Sequence, residues 1–202
     1  MRTMMALALT ALVAPLGAQE QSRPAEWKVR FDRPDAPDSA LFFVTMTPGW
    51  HITTGPAGIL YDPARRGSGN YMVESEIFLF PGERLEGFGV FFGGRDLAGA
   101  EQAYSYFLVR KDGKFLVKRR TGSTTSELVG WAEHAAIVKQ EGSGQAKNVL
   151  AVDVGPREVV FLVNGQAVAT LPREGLDTDG VAGLRVNHRL NLHVTRLDVT
   201  AR

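Results

Sequence analysis

The stretch FGVFFGGRDLAGAEQAYSYFLVRKDGKFLVKRR, Phe88–Arg120, decides the fold class. It holds three strand-like runs, and Asp112-Gly113 joins the last two. An Asp-Gly pair between apolar runs is a strong hairpin signal, because glycine takes positive φ without a Cβ clash. The same device recurs in VVFLVNGQAVATL, Val159–Leu171, where Asn164-Gly165 turns one strand back on the next. Antiparallel hairpins with no helix between them predict an all-β sandwich.

Outward from that stretch the pattern repeats. Trp27–Phe31, Ala40–Met46 and Tyr71–Phe80 read as strands, the last closed by Pro81-Gly82. Between the second and third lies PGWHITTGPAGILYDPARRGSGNY, so rich in glycine and proline that only its short apolar pieces fit a strand. Trp131–Val138 is a further apolar segment, and EGSGQAK reads as a loop. Asn148–Val154, Val159–Val163, Val181–Asn187 and Asn191–Thr200 complete the strands. No segment keeps helical periodicity for the roughly ten residues a helix needs. About a dozen short strands are too many for one sheet and suit two stacked antiparallel sheets.

The chain has 202 residues. Arg2, the apolar run Met4–Leu16 and small residues ending at Ala18 read as a signal peptide over 1–18, removed on export. That run is too short to span a membrane, and no later one approaches about 20 apolar residues. A polar lead, 19–26, then precedes a single domain over 27–202. There is no cysteine, so the domain rests on its core alone, and a cysteine-free exported chain reads as bacterial, periplasmic or extracellular. Twenty-three basic and 22 acidic residues give a net charge of +1, which provides no global field for nucleic acid or anionic lipid. Lys118-Arg119-Arg120 is read as charge at a sheet edge or rim.

Several motifs together carry a resemblance over roughly residues 40 to 200. They are Gly94-Arg95-Asp96, Tyr104-Ser-Tyr106-Phe107, Asp112-Gly113, Trp131 and Asn148-Val-Leu150-Ala-Val152. Val159-Val-Phe161-Leu-Val163-Asn164-Gly165 and the closing DGVAGLRVNH, 179–188, extend them. This order resembles the concanavalin A-like lectin/glucanase domains, nearest to exported bacterial 3-keto-disaccharide hydrolase-like and laminin G-like domains. The resemblance implies a two-sheet antiparallel jelly roll whose concave face binds carbohydrate.

Catalysis has one sharp candidate. Glu74 and Glu76 sit two apart in a strand, on one face, about 6.5–7 Å apart at Cα. That is close to the carboxyl spacing of glycoside hydrolysis. Laminarinase-type relatives carry a third acid on the same face, where this chain has Met72 and Phe78, so that mechanism is rejected and ion pairing on an outer strand is preferred. The histidines His51, His134, His188 and His193 show no HxH or HExxH spacing. His51 and His188 could act together if the fold joins them.

Sugar recognition has better material. Trp50, Tyr61, Tyr104, Tyr106 and Trp131 offer amphipathic rings, with Trp131 read as core beside its apolar neighbours. Arg95 and Asp96 supply paired donors and acceptors from a loop. The predicted ligand site is Trp50, His51, Arg95, Asp96, Tyr104, Arg185 and His188. Asp96, Asp112 or a backbone carbonyl could hold a structural Ca²⁺, although no calcium loop is present and no cofactor is indicated. Three functions stand: a glycan- or sugar-binding domain, a 3-keto-disaccharide-type glycoside hydrolase, and a structural domain without small ligand. Catalytic residues, ligand identity and oligomeric state are not readable from the chain.

Overall fold

A computed structural model describes residues 23–202, so the signal peptide expected over 1–18 and part of the expected polar lead lie outside the described residues. The strands are β1 (Lys28–Phe31), β2 (Leu41–Thr45), β3 (Trp50–Thr54), β4 (Gly58–Tyr61), β5 (Arg66–Gly67), β6 (Tyr71–Leu79), β7 (Gly87–Arg95) and β8 (Ala103–Arg110). There follow β9 (Lys114–Thr121), β10 (Thr124–Glu133), β11 (Ala146–Val154), β12 (Glu158–Val163), β13 (Gln166–Pro172), β14 (Gly180–Val186) and β15 (Asn191–Ala201). One 3-10 turn, Asp38–Ala40, is the helical content of the described residues, none of which forms a helix able to cross a membrane.

Two antiparallel sheets form. The first runs β1-β4-β14-β7-β8-β9-β10, with β5 beside β14, and the second runs β13-β12-β11-β6-β15-β3-β2. Both expected hairpins are present. β8 returns as β9 around Gly113 at φ +85°, and β12 returns as β13 through Asn164 and Gly165 at φ +51° and +79°. The all-β jelly-roll expectation holds.

Strand alternation builds the core. Tyr71, Val73, Ile77 and Leu79 of β6 face inward, while Met72, Glu74, Glu76 and Phe78 face out. From the first sheet Phe88, Val90, Phe92, Phe107, Val109, Phe115 and Val117 meet them. Each fully buried phenylalanine contributes about 1.5–3 kcal/mol from area removed from water. The two sheets then differ. β6 has one face in solvent, but β7, β8 and β14 are buried on both. A second apolar layer, including Ile59, Tyr61, Phe91, Leu97, Tyr104, Tyr106 and Leu108, covers the outward face of the first sheet. That layer positions the candidate site.

Candidate site on the outward face of the first sheet

Along β8, Tyr104, Tyr106, Leu108 and Arg110 point away from the sandwich core, a run on the order of 20 Å. Cross-strand partners fix what flanks them. Tyr104 lies opposite Arg120 and Tyr106 opposite Lys118 on β9, while Phe91 of β7 lies opposite Tyr106. Arg185 of β14 faces the same way, opposite Ile59 of β4, whose other partner Arg30 sits on β1. Asp32 follows β1 directly and completes the group.

Arg185 is the anchor. Only 8% of its side chain is exposed, and it grips Asp32 with both terminal nitrogens, at 2.7 and 2.6 Å. Its guanidinium carbon stands 5.6 Å from the centre of the Tyr106 ring. Burial opposes the charge of Arg185, yet the hydrogen bonds of Asp32 keep it fully protonated, with a pKa above the ordinary arginine value. Burial would likewise raise Asp32, but the hydrogen bonds and charge of Arg185, helped by Arg120 and His188, hold its carboxyl below the usual range. Burial pushes the phenols of Tyr104 and Tyr106 upward against the nearby arginine charges, so both remain neutral donors near neutral pH.

The loop after β7 roofs one end. Asp96 at φ +45° accepts from the Glu101 N–H at 3.0 Å, and its backbone oxygen accepts from Gly99 at 2.9 Å. The loop so formed lays Leu97 on the apolar layer and offers two carbonyls, of Leu97 and Gly99, to Arg30 at 2.9 and 2.6 Å. At the other end Trp131 of β10 half-covers Gly87 and Leu108, and Arg110 stacks on it at 4.5 Å while donating to Asp112 at 2.8 and 2.6 Å.

Of the seven predicted site residues, Tyr104, Arg185 and His188 come together. His188 follows β14, sits 3.4 Å from Glu86, and is the smallest of the influences that hold the Asp32 carboxyl low. Arg95 and Asp96 lie at the end of the sandwich instead. Arg95 pairs with Asp177 beside a hollow of about 850 Å³, and Asp96 is spent on its own loop. Trp50 and His51 belong to the second sheet, with Trp50 packed at the core 4.7 Å from Trp27 beneath the Arg65 guanidinium. His51 pairs with His193 across β15, so no His51–His188 couple forms. Burial, with the neighbouring His193, lowers the pKa of His51.

Other expectations need correction. Trp131 is on the outward face because bulges between Glu127 and Ala132 disturb the alternation of β10. The basic run is inside the sheet, one strand from the edge, and Arg120 belongs to the central cluster. Tyr104 and Tyr106 are only 3% and 7% exposed, so their rings support the face and present little surface for stacking. Glu74 and Glu76 are on the opposite sheet, bound by Arg196, Lys147 and Thr195, in keeping with the ion-paired reading. Asp112 is held by Arg110, and among the described residues no group of three or more His, Asp or Glu side chains could hold a metal ion. Asp32, Arg120 and Tyr106 complete the cluster that the predicted seven lacked. Tyr106 was signalled by its parity with Tyr104, whereas Asp32 had no local signal.

Neither protein-family models nor curated proteins match this chain. Solved structures do. The carbohydrate binding module CBM66 from Bacillus subtilis superposes with a TM-score of 0.65 at 10% identity, over 87% of this chain and 96% of that one. The exoplasmic/lumenal domain of VIP36, in a Ca²⁺/Man3GlcNAc-bound form, gives 0.57 at 9% identity over 88% and 84%. A Bacteroides ovatus mixed-linkage glucan GH16 protein in complex with G4G4G3G product gives 0.56 at 7% identity over 89% and 97%. The chain has the concanavalin A-like jelly-roll fold.

Proposed function

We propose that this is an exported carbohydrate-binding domain whose ligand lies along the outward face of the first sheet. The observation that carries it is the Asp32–Arg185 pair. An ion pair this deeply placed is costly to desolvate and adds little net stability over an apolar replacement. Here it stands outside the hydrophobic core, on a face otherwise lined by aromatic rings, where paired donors and acceptors can meet sugar hydroxyls. Trp131, half-buried at the far end, supplies the ring for the C–H face of a sugar. A face of this length suits an oligosaccharide rather than one ring. The solved structures of similar fold include a carbohydrate-binding module and a Man3GlcNAc-bound domain, which supports the reading.

Hydrolysis is the weaker reading. Each described carboxyl with a displaced pKa is displaced downward: Asp32, Asp35, Glu76, Asp112 and Glu133. A glycosidase acid needs the opposite shift. The test is a glycan array followed by calorimetry on the best ligand. Trp131→Ala should weaken binding about tenfold, while Lys147→Ala on the other sheet leaves it unchanged. A blank array, or equal losses for the two variants, would overturn the proposal.

A further inference from the structure

We infer that the sugar taken by this face carries a carboxylate, an inference that rests on the carbohydrate reading and names its ligand class. Arg120 lies opposite Tyr104 and shares Asp32 with Arg185, and Arg30 stands across Ile59 from Arg185. Arg185 consumes both oxygens of that acid. Arg120 makes its ion pair at 3.5 Å with the same Oδ1 that already accepts from Arg185 at 2.7 Å. Arg30 donates to backbone carbonyls. One carboxylate therefore serves two guanidiniums, while a third, that of Arg30, is held by carbonyls alone.

The shortage matters because these cations are largely out of water. Only 12% of the Arg120 side chain is exposed, and the Nε atoms of Arg120 and Arg185 are buried without a partner among the described residues. Partly desolvated charge gains most from an opposite charge at close range. A sugar hydroxyl supplies a dipole; a uronate supplies a charge and two oxygens in one plane, which fit the guanidinium fork. Asp32 itself already shows that fork closed on a carboxylate.

The approach is also basic. Beyond Arg30 the face opens into a hollow of about 640 Å³, lined in part by Lys28 and Arg30 and by Arg23 and Arg33, which pair with Asp38 and Asp35. Asp32 keeps 31% of its side chain in solvent, so this end of the face is open. On the other side Lys118 has Glu127 only at 3.8 Å. Glu86 and His188 sit farther along, engaged with one another.

Calorimetry on the full chain with four kinds of tetrasaccharide separates the cases: uronates (galacturonate, guluronate and mannuronate), their carboxyl-reduced counterparts, sulfated neutral sugars, and neutral sugars. The expected result is a uronate bound at least tenfold more tightly than its reduced form, with affinity falling as salt rises. Arg120→Gln should remove that tenfold preference, so that uronate and reduced sugar bind the variant alike, whereas Lys147→Ala on the other sheet should keep it. Arg120→Lys, which keeps charge without the fork, should restore only part of it. If the reduced or neutral sugars bind equally well, the carboxylate inference falls and the carbohydrate reading stands. Equal or tighter binding of the sulfated sugar overturns the choice of carboxylate. If no sugar of any kind binds, both readings fall.

Discussion

Asp32 and Arg185 are the residues with most at stake. Removing the acid leaves a guanidinium with 8% of its side chain exposed and no full partner. Asp32→Asn should cost about 2–3 kcal/mol at neutral pH, at the low end for a buried pair because Asp32 keeps some solvent contact. The sign with pH follows from the lowered carboxyl. A carboxyl with a folded pKa below its unfolded value stabilises the fold above the unfolded pKa, near 4. It loses that contribution as pH falls through the folded pKa. The gap between wild type and Asp32→Asn in urea melts should thus be full at pH 7 and shrink once pH falls below the unfolded value and through the lower folded one. A gap unchanged with pH would show that charge is not what Asp32 contributes. None of this was legible locally. Arg185 stood out as a polar residue in an apolar strand, but its partner Asp32 is 153 positions away and carried no signal of its own.

At the scale of elements, turn chemistry was the readable part. Asn164 adopts φ +51° and uses its side chain fully, accepting from the Val149 N–H at 2.8 Å. It donates to Ala136 O at 2.8 Å and to Asn148 Oδ1 at 2.9 Å. The β12–β13 hairpin is thereby pinned to β11 and to the turn after β10. Asn164→Ala should cost about 3 kcal/mol, from lost hydrogen bonds and a strained φ. Asn164→Gly should recover about 1 kcal/mol of that, because glycine accepts the φ but not the bonds. Thermal melts separate them, at roughly 2–4 °C per kcal/mol for a domain of this size. Identical melting points for the two variants would remove backbone strain from the account. β10 was the hard element: TTSELVG is polar, pairs on one side only, and carries bulges that break the period of two. Trp131 was read as core from its apolar neighbours, and those bulges turn it outward instead.

At the scale of the molecule, the two outward faces have separate roles. In the second sheet β6 alternates plainly, so its outward acids meet bases: Arg196 bridges Glu74 and, at 3.3 Å, Asp198, while Lys147 reaches Glu76 at 3.3 Å. The first sheet buries both faces of its central strands, and parity alone could not show this, since a strand buried on both sides reads simply as apolar. The two carboxylates with glycosidase-like spacing thus belong to the face without the arginine cluster. Glu74→Gln together with Glu76→Gln should cost no more than about 1–2 kcal/mol, as expected for ion pairs only partly out of water. The double variant should bind any glycan ligand with unchanged affinity, because the sandwich core separates those residues from Tyr104, Arg120 and Arg185. If it abolished binding instead, or removed a hydrolytic activity present in the wild type, the working face would be the second sheet and the arginine cluster a structural feature.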